Sequence, residues 1–196
     1  IASLVATGEP VLVVAAHTAL RLRHLAGRLG GFALTSHAAL ERDADLASAY
    51  AHVVLLDPPP GGTCPIPPGP SVHLAWGRSE RDFSVSIHEH ERDLRASLTA
   101  IYRGLRARQA VAGEELEAAL REGHPMRTPA CAGRALRVLV ELGLVRLDRG
   151  RRTLVVPAPE RTSLERSAAY RAYSSRGEKA WRAPNSSTMT AAMAAA

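Results

Sequence analysis

Along the first half of the chain, apolar positions alternate between strand-like runs and helix-like spacing. VLVVAA (11–16) is an unbroken apolar, largely β-branched run, the pattern of a strand covered on both faces. In HTALRLRHLAGRLGG, which follows, Leu20, Leu22, Leu25 and Leu29 keep helical spacing until Gly30 and Gly31 end the helix. FALTS predicts a second short strand, SHAALERDADLASAY a second helix capped by Ser36, and HVVLL (52–56) a third buried strand. Strand alternating with helix points to a parallel, Rossmann-like sheet with short right-handed crossovers.

DPPPGGTCPIPPGP is too rich in proline and glycine for a regular element and reads as a surface loop. SVHLAW (71–76) supplies a fourth strand. From ERDF onward, Phe83, Ile87, Leu94, Leu98, Ile101, Tyr102 and Leu105 suit one or two consecutive helices leaving the sheet, which puts a domain boundary near residue 92.

Helical and strand patterns then change order. Helices are predicted over 93–108 and 113–122, and a third is entered by Thr128 as N-cap with Pro129 in its first turn and closed by Gly143. Its apolar stripe is Ala132, Leu136, Leu139 and Leu142, with Arg134, Arg137 and Glu141 on other faces. GLVRL and RRTLVV flank Asp148-Arg149-Gly150, a turn short enough for a hairpin. Three helices followed by a hairpin is the order of a winged helix-turn-helix domain. The pattern therefore gives an α/β chain: a Rossmann-like domain over 1–92, a winged-helix domain over 93–160, a C-terminal helical segment over 161–177, and a disordered tail over 178–196, where small and polar residues leave nothing to bury.

Charge sharpens this picture through its position. The net charge is +6, and all basic residues except Lys179 are arginine. Between Arg121 and Arg152 eight arginines face three acids, Glu122, Glu141 and Asp148, a local excess of +5. Such a patch favours a polyanion partner, because neutralising phosphates releases counterions. The candidate nucleic-acid-binding residues are Arg127, Thr128, Arg134, Arg137, Arg149, Arg151 and Arg152. The same layout also serves protein docking or plain packing.

Other chemistry is sparse. Asp57 ends a buried strand where open α/β sheets place ligand groups, but neither G-x-G-x-x-G nor G-x-x-x-x-G-K is present, so Asp57 reads as a cap before the prolines. In HEHE (88–91) the two histidines are two residues apart and point in nearly opposite directions on a helix, which predicts a solvated helical turn and no metal site. Cys64 and Cys131 have neither metal nor disulfide spacing. No catalytic motif is present. The chain begins with Ile1, and its start has no signal-peptide or membrane-span pattern; a piece of a longer cytoplasmic protein is expected, with no membrane partner.

Four segments together resemble the C-terminal region of the RecJ-type single-stranded-DNA-specific exonucleases: HVVLLDPP, HLAWGRSERDF, DLRASLTAIYRGLR and RTSLERSAAYRAY, the last similar to that family's LExSxxYR ending. The resemblance spans about residues 10–175 and departs after Arg176. In that family the nuclease core, with DHH-type aspartate and histidine clusters that hold two divalent metals, lies upstream of the matched region, and none of those motifs occurs in this sequence. The resemblance implies an accessory module for DNA repair and recombination, serving a 5′–3′ exonuclease. It would bind single-stranded DNA or a repair protein, with no cofactor of its own. Manganese or magnesium would sit in the upstream DHH core. Two other readings share the layout, the second motor lobe and winged helix of a RecQ-like superfamily 2 helicase and a winged-helix transcriptional regulator. Against the helicase, GRSERDFSVSIHEH stands where a Q-x-x-R-x-x-R helix is expected.

Overall fold

The computed structural model describes residues 1–25, 30–158 and 162–180, which divide into two units, Ile1–His88 and Glu89–Lys179. In the first unit VLVVA forms β1 (Val11–Ala15), buried along its whole length. It is hydrogen-bonded on one side to β2 (Ala33–Ser36) and on the other to β3 (His52–Leu55), which in turn carries β4 (Ser71–Leu74). All pairs are parallel, with Val13 opposite both Leu34 and Val54.

The central place of β1 explains its unbroken apolar run, since successive side chains leave a strand on opposite faces. Leu12 and Val14 pack with Leu40, Ala47, Val53 and Leu55, whereas Val11 and Val13 pack with Val54, Leu4, Val5 and Leu34. Leu4 and Val5 come from α1 (Ala2–Val5), a single turn that the sequence pattern does not announce. Gly31 has φ +84°, and a Cβ there would lie 2.8 Å from Val5 Cγ1, so glycine is needed for both conformation and space. The helix after β1, α2 (Thr18–Leu25), buries none of its residues fully, and Leu22 stays half exposed. Leu29, the end of its expected stripe, lies outside the described residues.

SHAALERDADLASAY is not one helix. Ser36 caps α3 (His37–Leu40) by accepting from Ala39 N, and Asp43 then accepts from Asp45 N to start a separate 3-10 turn, Ala44–Ala47. A short acidic side chain inside a helical pattern competes for backbone N–H groups, and here it restarts the chain. The proline-rich connection joins β3 to β4 without a helix. It is not all surface, because Asp57, Pro58 and Pro59 are buried. α4 (Arg78–Arg92) follows, with Ile87 fully buried and Ser84 Oγ donating to Pro58 O at 2.8 Å.

The second unit contains α5 (Leu94–Arg108), β5 (Ala110–Ala112), α6 (Gly113–Arg121), α7 (Pro129–Glu141), β6 (Arg146–Asp148), β7 (Thr153–Val155), a 3-10 turn at Leu164–Arg166 and α8 (Ala168–Ala180). The three strands form an antiparallel sheet with β7 in the middle. β5 is the strand that the hairpin reading lacks. The core joins Leu94, Leu98, Ile101 and Leu105 of α5 to Leu116 of α6, Val138 and Leu139 of α7, and Leu154 of β7. Each fully buried leucine or isoleucine contributes about 1.5–3 kcal/mol.

α7 begins and ends where its residues dictate. Thr128 Oγ1 accepts from Cys131 N at 3.1 Å, and Pro129 follows. Gly143 at φ +70° donates to Val140 O, and Leu144 N reaches back to Leu139 O, the paired bonds of a Schellman ending. The buried stripe is rotated from the expected one. Cys131, Ala135 and Val138 join Ala132 and Leu139 inside, and Leu136 and Leu142 are only half-buried. The expected C-terminal helical segment continues as α8 to Ala180, and the remainder of the segment 178–196 lies outside the described residues. Among the described residues no helix is long and apolar enough to cross a membrane.

Candidate nucleic-acid interface

The carboxyl ends of parallel strands are where open sheets gather ligands. Here that place is filled by the protein's own groups. The Asp57 carboxylate is fully buried, accepts from Ala16 N at 2.9 Å at the end of β1, and is gripped by Arg21 through Nε at 3.1 and 3.2 Å and through Nη2. The Arg21 guanidinium also lies 4.1 Å above the Phe83 ring centre. His37 Nε2 donates to Asp57 O at 2.9 Å, and the Cys64 Sγ sits 3.9 Å from His37 Nδ1. Burial lowers the His37 pKa to about 4 and, with Glu41 nearby, raises the Cys64 thiol to about 11. The imidazole is thus neutral and the thiol protonated near pH 7, so the pair has no ready nucleophile. The cluster locks β1, β3 and α2 together.

The HEHE turn is helical, but it is less solvated than its charge suggests. His88 and His90 are half-buried on α4, and the His90 ring stacks on His124 with centroids 3.8 Å apart. Burial, with His124 and Arg127 nearby, lowers the His90 pKa. Among the described residues no three His, Cys, Asp or Glu side chains are grouped to hold a metal ion.

The seven candidate binding residues separate into three groups. Arg127 and Thr128 are buried. Arg127 Nη1 donates to Leu120 O and Glu122 O, closing the end of α6, and burial lowers its pKa. Thr128 Oγ1, besides capping α7, donates to Glu91. Both side chains are buried and bonded within the fold.

Arg134 and Arg137 lie on α7 and are each paired. Arg134 reaches Glu91 at 3.3 Å and Arg137 reaches Glu141 at 3.3 Å. Glu141 has a second task, accepting from Ala169 N and Ser167 Oγ at the start of α8. Those bonds hold its pKa low, and the Arg137 pKa is raised by Glu141 and by Tyr173 of α8. Tyr170 and Tyr173 of α8 pack on the core of the second unit, and α8 meets α7 at Arg137 and Glu141.

Arg149, Arg151 and Arg152 are exposed in the connection between β6 and β7, beside exposed Arg146. Asp148 restrains this turn, accepting from Arg151 N at 3.0 Å, with Arg151 Nε 3.9 Å from its other oxygen. Arg149 and Arg146 make no ion pair among the described residues. Arg152, at φ +50° in the left-handed region that favours glycine, sends its guanidinium to Glu117 of α6. Arg121 joins the same carboxylate at 3.1 Å. Arg121, Glu117 and Arg146 are absent from the sequence-derived set, although GEELEAALR does show Glu117 and Arg121 at the spacing of a helical ion pair. Comparisons with protein families, curated proteins and solved structures found no match.

Proposed function

We propose that this chain is a non-catalytic module that holds single-stranded nucleic acid through the arginine-tipped hairpin of its second unit. The observation that carries this reading is the exposure of Arg146, Arg149 and Arg151 on one hairpin, two of them without an acidic partner among the described residues. In this reading the second unit is a winged helix-turn-helix. The order α5, β5, α6, α7, β6, β7 and the central place of β7 support it. The first unit is Rossmann-like, supported by the strand order β2-β1-β3-β4, with its ligand position closed by Asp57 and Arg21. The parent is a RecJ-like exonuclease whose DHH core, with its manganese or magnesium, acts on strands that this module retains. The segments HVVLLDPP, HLAWGRSERDF, DLRASLTAIYRGLR and RTSLERSAAYRAY support that assignment.

Arg134 and Arg137 of α7 are each paired with a carboxylate, so in this reading the hairpin, rather than α7, meets the strand. Phosphate contacts position a strand without reading its sequence, so binding should tolerate any sequence and weaken steeply with salt. Replacing Arg149, Arg151 and Arg152 together by alanine is expected to lower affinity for oligonucleotides of different sequence alike. The salt slope should fall by about 2, at roughly 0.7 per phosphate contact. Fluorescence anisotropy across a salt series measures both. Unchanged binding and slope would make the hairpin a packing or protein-docking element.

A further inference from the structure

We propose that Glu117 occupies a phosphate seat on the second unit and that a nucleic-acid phosphate displaces it, so that this carboxylate restrains binding. The inference rests on the reading of the hairpin as a polyanion surface. Two guanidiniums from different elements converge on the one carboxylate: Arg121 of α6, with Nη2 3.1 Å from Oε2, and Arg152 of the hairpin, hydrogen-bonded to Oε1. Carboxylate and phosphate oxygens present the same fork geometry to guanidinium groups, and a phosphate carries more acceptor oxygens. A carboxylate between two arginines is thus shaped like the ligand it excludes.

The backbone fixes the convergence. Arg152 has φ +50°, a region that non-glycine residues rarely adopt, and its carbonyl accepts from Gly113 N at 3.0 Å at the first residue of α6. The hairpin is therefore tied to the start of the helix that carries Glu117 and Arg121. All three side chains remain open to solvent, about half to three-fifths exposed, and exposed ion pairs are weak enough for another anion to replace. Glu114, Glu117, Ala118 and Arg121 share one exposed face of α6, which leaves a phosphodiester free to approach. Glu114 on the same face opposes anions, which confines the seat to the space that Glu117 itself holds.

The test is Glu117→Gln in the whole chain, with a fluorescent single-stranded oligothymidylate as the probe. Affinity at low salt is expected to rise roughly tenfold, the worth of one charge-assisted hydrogen bond. The salt slope should stay near that of the wild type, because Arg121 and Arg152 hold the phosphate in both proteins once the carboxylate is displaced. In an Arg121→Ala/Arg152→Ala background the same substitution should give no gain, and a gain that persists would mean only a change of overall charge and overturn the proposal. Equal affinity in wild type and Glu117→Gln also overturns it, while hairpin-dependent binding by the wild type would leave the parent reading standing. Binding by neither protein overturns both. Thermal melts accompany each measurement; an exposed substitution of this kind changes stability little.

Discussion

Asp57→Ala is expected to destabilise the first unit by about 3–5 kcal/mol, the range found when one partner of a buried ion pair is removed. The carboxylate is fully buried, and Arg21 has only 14% of its side chain exposed, so solvent offers the stranded guanidinium little compensation. Ala16 N, which donates to Asp57 Oδ2 at the end of β1, also loses its acceptor inside the fold. Asp57→Asn, which keeps the shape and an acceptor oxygen but no charge, should lose less. Urea unfolding followed by circular dichroism would show a lower midpoint with an unchanged slope. A loss under about 1 kcal/mol would mean that Arg21 escapes to water and that the pair behaves as a surface one.

The second large effect is a loss of stability in acid centred on His37. In the folded chain burial holds its pKa at about 4, against the ordinary 6.5 of a histidine. Below pH 6.5 the unfolded chain takes up a proton that the folded one refuses. The contribution of neutral His37 is therefore full above pH 6.5 and is lost progressively as pH falls towards 4. At about 1.4 kcal/mol per pKa unit, the loss over that window is about 3 kcal/mol. His73 and His90, whose pKa values burial also lowers, add in the same direction. The His37 share is isolated by His37→Gln, which keeps a donor for Asp57 O. Its urea midpoint should fall less between pH 6.5 and 4 than that of the wild type, and parallel curves would show that His37 titrates normally.

What the sequence discloses follows from how local each determinant is. The buried strands β1 and β3 announce themselves because central position demands an unbroken apolar run, and α7 because Thr128, Pro129 and Gly143 are local start and stop signals. The break after α3 was hidden, since Asp43 looks like an ordinary polar helix position until its carboxylate is seen capping a new turn. β5 is three residues long and takes its meaning from pairing with β7 more than forty residues away, a register that no local pattern encodes. The candidate interface was legible as charge and not as availability. Arg127, Arg134 and Arg149 look alike in sequence, but one closes a helix end, one is paired with Glu91 and one stands open in a turn. Partners that lie far along the chain separate them.

The position of β1 has a consequence for backbone exchange with deuterium. Its amides are flanked by β2 and β3 and covered on both faces, so no local fraying reaches them. They should exchange only when the whole first unit opens, and their protection reports that unit's global stability. β4 is hydrogen-bonded on one side alone and exposes Ser71 and Leu74 at its ends, so its amides can exchange while β1 stays closed. The sheet should thus lose protons inward from its edge strands, β2 and β4, with Val11–Ala15 the last to give theirs up.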